Sequence, residues 1–175
     1  MGMMIDLRAE AGPALIVGGG KVAARKAKSL AEAEFRIVVI APAVSDAIRA
    51  LPWVTVFERE FAALDLPELA PYSLVFACTD SRAINLEVGR LARAARIPVV
   101  VADRQAESTF FTPATLRDGD LAVAVSTGGA SPGLASRIRQ QIAAAIGPGW
   151  ASSVYAARRE RDARLGRRSA PKDDE

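Results

Sequence analysis

The stretch Ala14–Ala27 reads ALIVGGGKVAARKA, an apolar run, three glycines and then apolar residues at helical spacing. This order predicts a strand, a phosphate-binding turn and a helix that begins near Lys21. Gly18 and Gly20 would let the backbone turn tightly and approach a pyrophosphate, at which the helix would direct its unpaired N–H groups. With Ala23 as the small third residue, the pattern G-x-G-x-x-A predicts a bound dinucleotide. A glycine-rich turn without a ligand is the alternative interpretation.

The composition indicates a globular protein. The chain has 175 residues, of which 50% are hydrophobic, and this suits one domain or one domain with an appendage. A single cysteine excludes an internal disulfide, and the absence of histidine excludes the usual zinc sites, so we predict no bound metal. We expect Cys78, in an apolar strand with no cation beside it, to be a buried and unreactive thiol.

The sequence has no apolar run long enough to span a bilayer and no signal-peptide pattern, so we expect a cytoplasmic protein with no membrane partner. Of its net charge of +3, residues 158–175 carry +2, from seven basic and five acidic residues. No aromatic residue follows Tyr155, so nucleic-acid bases would have nothing to stack on. We therefore predict no nucleic-acid partner, and a short helical or disordered charged tail over residues 150–175.

Strands and helices alternate after the glycine turn. Further strands are predicted at residues 35–42, 54–57, 73–78 and 98–102, with a helix over residues 81–95. This alternation predicts the α/β class, with a Rossmann-like doubly wound parallel sheet and a dinucleotide-binding domain over residues 1–104.

The pattern changes after Asp103. Two runs, at residues 108–116 and 121–126, flank an Asp-Gly pair that is a strong hairpin signal. Ser131 and Pro132 then predict the cap and the first residue of a helix that ends near Gly147. Because a hairpin and one helix leave an apolar face uncovered, we predict that residues 105–149 form a small α+β dimerisation region and that the protein is a homodimer.

Ligands of doubly wound sheets bind at the carboxyl ends of the strands, where this chain has two carboxylates and no histidine. Asp103 is the better placed general base, although a turn-capping role is the alternative, and Asp80 is expected to belong to the N-cap of the next helix. The segment 126–131 combines hydroxyls and flexible N–H groups at a helix start. It is predicted to bind an anion such as a substrate carboxylate, or otherwise to be a plain glycine-rich loop.

The end of the second strand is where an acidic residue selects NAD and an arginine selects NADP, but this chain has Ala41 and Pro42 there. Neither residue marks one cofactor, so NADP stays open, and we predict NAD because nothing at that position would bind a 2′-phosphate. The predicted cofactor-binding residues lie in the glycine turn, at the start of its helix and at the ends of two strands. They are Gly18, Gly19, Gly20, Lys21, Val22, Ala41, Pro42 and Thr79.

Four segments together resemble the siroheme synthase N-terminal module family, whose members are precorrin-2 dehydrogenases and sirohydrochlorin ferrochelatases. They are the glycine turn Val17–Lys26, the segment Ala77-x-Thr79-Asp80-x-x-x-x-Asn85, the strand Pro98–Asp103 and the segment Ala124–Ala135. They occur in the family's order over residues 5–145.

The resemblance implies an NAD-dependent precorrin-2 dehydrogenase, which passes a hydride from the reduced tetrapyrrole to NAD and forms sirohydrochlorin in siroheme biosynthesis. In some members the same site also inserts ferrous iron, which is then a substrate. By position, Asp103 matches the family's catalytic aspartate and Thr127 its hydroxyl beside the substrate, so Ser126, Thr127, Gly128 and Ser131 are the predicted substrate-binding residues. A non-catalytic NAD-sensing Rossmann module is the alternative from another functional class.

The residues around Asp103 depart from the family's pattern, in which an asparagine precedes this strand end and a lysine or proline follows it. We therefore expect the contacts around the Asp103 carboxylate to differ from those of relatives. The 175 residues also contain no methyltransferase segment, so we expect the three-activity form of the enzyme to be excluded.

Overall fold

The computed structural model describes residues 2–62 and 72–169, which divide into two compact units, one ending at Phe111 and the other beginning at Thr112. The first unit contains a five-stranded sheet in the order β3-β2-β1-β4-β5. Its strands are β1 (Ala14–Val17), β2 (Ile37–Ile40), β3 (Val54–Phe57), β4 (Leu74–Ala77) and β5 (Val99–Val101). All four pairings are parallel, and the order runs outward in both directions from β1 and β4. The predicted Rossmann-like doubly wound sheet is therefore confirmed.

Helices cover both faces of this sheet. Helices α1 (Lys21–Ala31) and α2 (Asp46–Arg49) pack on one face, and α3 (Arg82–Ala94) packs on the other. Strands β1, β4 and β5 are consequently buried along their whole length, which explains why they read as continuous apolar runs. The covered sheet leaves the carboxyl ends of its strands as the edge where polar side chains gather.

The first unit extends beyond the expected boundary at residue 104. Thr109 donates its N–H to the carbonyl of Val99 at 2.8 Å, and the Val101 N–H donates to Ser108 Oγ at 2.9 Å. Phe110 packs edge-on against Phe76, with ring centroids 5.7 Å apart. These contacts hold the chain after Asp103 against β5, so the first arm of the hairpin begins at Ala114 rather than at Ser108 as predicted.

The second unit is an antiparallel hairpin with two helices. Strands β6 (Ala114–Asp118) and β7 (Leu121–Val125) are followed by α4 (Pro132–Ile146) and α5 (Trp150–Ser169). The Asp118 carboxylate accepts the backbone N–H groups of Gly149 and Trp150 at 2.8 and 2.7 Å, which ties the start of α5 to the hairpin. The predicted tail is thus a 20-residue helix as far as Ser169, and residues 170–175 lie outside the described ranges.

Of the helices described here, none has the length and apolar character needed to cross a membrane.

Candidate functional site

The glycine turn packs too closely against its neighbours to carry side chains at two positions. Gly18 has a φ of +122°, and a Cβ there would lie 2.3 Å from the carbonyl oxygen of Cys78, just beyond β4. A Cβ on Gly19 would lie 1.9 Å from the carbonyl oxygen of Ala43, in the loop between β2 and α2. Both distances are far below van der Waals contact, so the turn requires glycine at these positions to reach its conformation.

Gly20 differs from its two neighbours because a Cβ there would meet nothing within 4 Å. It is the N-cap of α1, whose first N–H groups, including those of Lys21 and Val22, have no partner within the helix. Ala23 is fully buried, which keeps α1 close to the sheet. Open space at a helix N-terminus, beside a glycine, suits the pyrophosphate of a dinucleotide, so these residues fit the predicted cofactor.

The end of β2 lies against the glycine turn. Gly18 donates its N–H to the carbonyl of Ile40 at 3.0 Å, and the Ser45 N–H donates to the carbonyl of Gly19 at 3.1 Å. Ala41 is buried and Pro42 is exposed. The structure therefore brings the predicted residues of the glycine turn and of the β2 end together at one edge of the sheet.

Asn85 connects the ends of β4 and β5. This asparagine of α3 is only 1% exposed. Its Nδ2 donates to the Asp103 carboxylate oxygen Oδ1 at 3.0 Å and to the carbonyl of Thr79 at 2.9 Å. Thr79 and Asp103, which are 24 positions apart in the numbering, are thereby joined through one buried side chain.

The second carboxylate oxygen of Asp103 faces a cation. Arg82 Nη1 lies 3.5 Å from Asp103 Oδ2, and Nη2 of the same guanidinium bonds the Glu107 carboxylate. The side chain of Asp103 is 36% exposed, so it is accessible from solvent while two donors hold it. An ionised carboxylate in this setting can accept a proton from a bound molecule.

Thr79 directs its polar groups towards Asn85. Its N–H donates to Asn85 Oδ1 at 3.0 Å, and its hydroxyl donates to the same oxygen at 2.8 Å. Ser81, rather than Asp80, is the N-cap of α3, since its hydroxyl accepts the Ile84 N–H at 3.4 Å. The cofactor contact of Thr79 stays a prediction, and the structure adds that this residue orders the loop after β4.

In the sequence, Asn85 stood only at the end of a segment that resembles the family, and neither it nor Arg82 or Glu107 had a predicted role. Asn85 shares the inner face of α3 with Val88 and Ala92, both fully buried. A polar residue on the apolar face of a predicted helix was the signal that could have identified it.

The predicted substrate-binding residues lie in the second unit, between β7 and α4. Ser131 caps α4 as predicted, because its hydroxyl accepts the Leu134 N–H at 3.2 Å. Thr127 Oγ1 accepts the Ser131 N–H at 3.0 Å, and the Gly128 N–H donates to Ser126 Oγ at 3.2 Å. The four residues thus form one hydrogen-bonded loop, and their substrate contacts remain predictions.

Cys78 is buried as expected, but the expectation that no cation lies near it was wrong. Burial raises the pKa of its thiol from 9.0 to about 11, although the charges of Lys26 and Arg25 act in the opposite direction. Burial also lowers the pKa of Lys26, whose ammonium lies 5.9 Å from the centroid of the Phe76 ring. The cost of removing the thiolate from water exceeds the attraction of the cations, so the thiol stays protonated at neutral pH.

We predict slow labelling of Cys78 in the native protein. With a pKa raised to about 11, its thiolate fraction at pH 8 is smaller than that of a free cysteine by about a hundredfold. Reaction with a thiol-specific disulfide reagent should slow by at least that factor and become fast in denaturant. Labelling of the native protein at the rate of free cysteine would contradict this prediction.

Within residues 2–62 and 72–169, no group of three or more cysteine, aspartate and glutamate side chains is arranged to hold a metal ion.

Two family models match the chain. One, described as "Putative NAD(P)-binding", matches residues 3–114. The other, described as "Sirohaem biosynthesis protein central", matches residues 118–145. The first covers the doubly wound sheet with the glycine turn and Asp103, and the second covers β7 and most of α4.

Curated relatives carry the name siroheme synthase. That of Gluconobacter oxydans (strain 621H) is 41% identical over 144 residues, which are 79% of this chain and 30% of the relative. That of Pseudomonas aeruginosa (strain UCBPP-PA14) is 40% identical over 145 residues, 81% of this chain and 30% of the relative. The chain therefore spans about three tenths of the length of these relatives.

A solved structure, "SirC, precorrin-2 dehydrogenase", is also similar. It matches with a TM-score of 0.66 and 26% identity over 89% of this chain and 75% of the other. The residues matched by the two family models include those on which the resemblance to siroheme synthases rests. With a family model over residues 3–114, more than half of its length, this chain belongs to the putative NAD(P)-binding family that this model describes.

Proposed function

We propose that this protein is an NAD-dependent precorrin-2 dehydrogenase that forms sirohydrochlorin. The observation that carries the proposal is the Asp103 carboxylate, which is accessible at the carboxyl end of β5 and held there by Asn85 and Arg82. Kinship with siroheme synthases and with a precorrin-2 dehydrogenase supports the choice of substrate.

The reaction removes a hydride and a proton from the reduced macrocycle. NAD, when bound, accepts the hydride and becomes NADH. Asp103 accepts the proton, since its carboxylate is held by Asn85 and Arg82 at this edge of the sheet and is still accessible. The glycine turn and the N-terminus of α1 hold the pyrophosphate, and Ser126, Thr127, Gly128 and Ser131 bind carboxylates of the tetrapyrrole.

We propose NAD rather than NADP as the oxidant. The end of β2 carries Ala41 and Pro42, and the nearby guanidinium of Arg49 is paired with the Glu58 carboxylate. A 2′-phosphate would have to compete with Glu58 for that cation. Comparison of kcat/KM for the two cofactors should favour NAD at least about tenfold, which corresponds to about 1.4 kcal/mol. We further propose that the enzyme is cytoplasmic.

We also propose a homodimer formed through the second unit. Among the described residues after Phe111, Ala135 is the one buried hydrophobic residue, and β6 and β7 have no buried position. Such a unit exposes too much apolar surface to be stable without a further contact. Light scattering at micromolar concentration should give twice the chain mass of 18.5 kDa. A mass of one chain would contradict the dimer.

The decisive experiment incubates the purified protein with precorrin-2 and NAD without oxygen. Sirohydrochlorin and NADH should appear together in equal amounts, and omission of either substrate should abolish both. Ferrous iron added afterwards tests whether sirohydrochlorin is also a chelation substrate. Unchanged precorrin-2 in the presence of demonstrably bound NAD would overturn the dehydrogenase and favour an NAD-sensing module.

A further inference from the structure

We infer that Asn85 is a positioning residue that orients the Asp103 carboxylate and keeps it able to accept a proton. This inference rests on the proposed function, because the role of Asn85 is defined through Asp103, the base that the dehydrogenation requires. Asn85 is the single asparagine of the chain, and it is 1% exposed.

The orientation of the Asn85 amide follows from its partners. The backbone N–H of Thr79 can only donate, so the group that it meets at 3.0 Å must be the amide oxygen. The amide nitrogen then faces the carbonyl of Thr79 and the Oδ1 atom of Asp103. Both N–H groups of Asn85 are therefore used, and one of them is committed to the carboxylate.

This arrangement makes the two oxygens of the Asp103 carboxylate unequal. Oδ1 receives an N–H from Asn85, so a proton on that oxygen would lose the bond and meet a donor. Oδ2 is beside Arg82, which is shared with Glu107. A proton taken from a substrate would thus be received at Oδ2, while Asn85 holds Oδ1 in place.

Burial shields the Asn85 amide from solvent at its contact with Asp103. The side chain is held at its other end by the N–H and hydroxyl of Thr79, at 3.0 and 2.8 Å. A buried, fully bonded amide has little freedom to rotate, so it transmits a fixed geometry from the loop after β4 to the end of β5. Arg82, by contrast, is about two fifths exposed and divides its guanidinium between two carboxylates.

Two variants test the role of Asn85. Asn85→Ser withdraws the N–H from Asp103, and we expect kcat to fall about 10- to 100-fold while the Kd for NAD changes less than threefold. Asn85→Asp keeps the shape and still accepts from Thr79 but places a second carboxylate against Asp103. The acid limb of its kcat profile should move to higher pH by about one unit, with Arg82 and Glu107 left in place as the neighbouring charges.

The matched control is Arg90→Gln, at an exposed position of α3 where the guanidinium bonds Glu87, and it should behave as the wild type. Unchanged kcat in both Asn85 variants would overturn the inference, and so would a loss of NAD affinity equal to the loss of kcat. If Asn85→Ser does not fold, the Asn85→Asp variant, which is close in shape to the native residue, still provides the test.

A second measurement does not depend on turnover. Unfolding of the wild type, Asn85→Ser, Asp103→Ala and the double variant forms a cycle that isolates the contact between the two residues, because alanine leaves no oxygen to accept the Asn85 N–H. We expect a coupling of about tenfold in the unfolding equilibrium constant, as for a hydrogen bond to a charged group. Coupling below twofold would overturn the contact. A wild type without turnover would overturn the proposed function alone, and the cycle would then decide whether Asn85 holds Asp103.

Discussion

Replacement of Asp103 by asparagine is expected to lower the turnover of precorrin-2 by about a thousandfold, within the range measured for loss of a general base. An amide has the size of the carboxylate but cannot accept the proton. Its oxygen still accepts the Asn85 N–H, the contact that measures 3.0 Å in the wild type, so the fold should be retained. The loss is measured from initial rates of NADH formation at saturating precorrin-2 and NAD.

The affinity for NAD is the internal control of this experiment. Asp103 lies two residues after β5, whereas the glycine turn follows β1, so the Kd for NAD should change less than about twofold. Turnover that persists at the wild-type rate would show that another group takes the proton. In an NAD-sensing module, by contrast, neither variant nor wild type would oxidise precorrin-2, and both would bind NAD equally.

Replacement of Gly19 by alanine is expected to destabilise the first unit by about 2–3 kcal/mol, the cost typical of forcing atoms into a packed site. The new Cβ would lie 1.9 Å from the Ala43 carbonyl oxygen, and that oxygen belongs to backbone. The turn and the loop after β2 would have to separate, which also disturbs the Ser45 N–H bond to Gly19. Denaturant unfolding followed by circular dichroism measures the loss.

Gly20→Ala is the matched control because a Cβ there meets nothing within 4 Å. We expect this variant to unfold at the same denaturant concentration as the wild type. The methyl group would enter the space assigned to the pyrophosphate, so the Kd for NAD should rise at least about tenfold. Equal stability of the Gly19 variant, or undiminished NAD binding by the Gly20 variant, would contradict the assigned geometry of the turn.

Much of the fold could be predicted without coordinates because it depends on short-range features. The apolar run before Gly18 and the helical spacing after Gly20 indicate a strand and a helix through side-chain periodicity alone. Ser131 and Pro132 mark the start of α4 because a hydroxyl cap and a fixed φ act within one turn of helix. Boundaries were less accurate, since β2 is Ile37–Ile40 within a predicted strand over residues 35–42.

The prediction that residues 108–116 begin the hairpin failed for a long-range reason. Residues 108–113 have the composition of a strand, but Ser108 and Thr109 bond to the backbone of β5 instead. Nothing in that segment specifies this partner. The length of α5 was missed similarly, because Asp118 fixes the N-terminus of that helix from another element of the second unit.

The local patterns of the chain determined the parallel sheet, the phosphate turn and the placement of Asp103 after a buried strand. They did so because periodicity, glycine spacing and strand ends act within a few residues along the backbone. The tertiary structure decided which groups surround Asp103. Asn85 and Arg82 reach that carboxylate because β4 and β5 are neighbours in the sheet and α3 connects them, and strand order is a property of the packed fold rather than of any one segment.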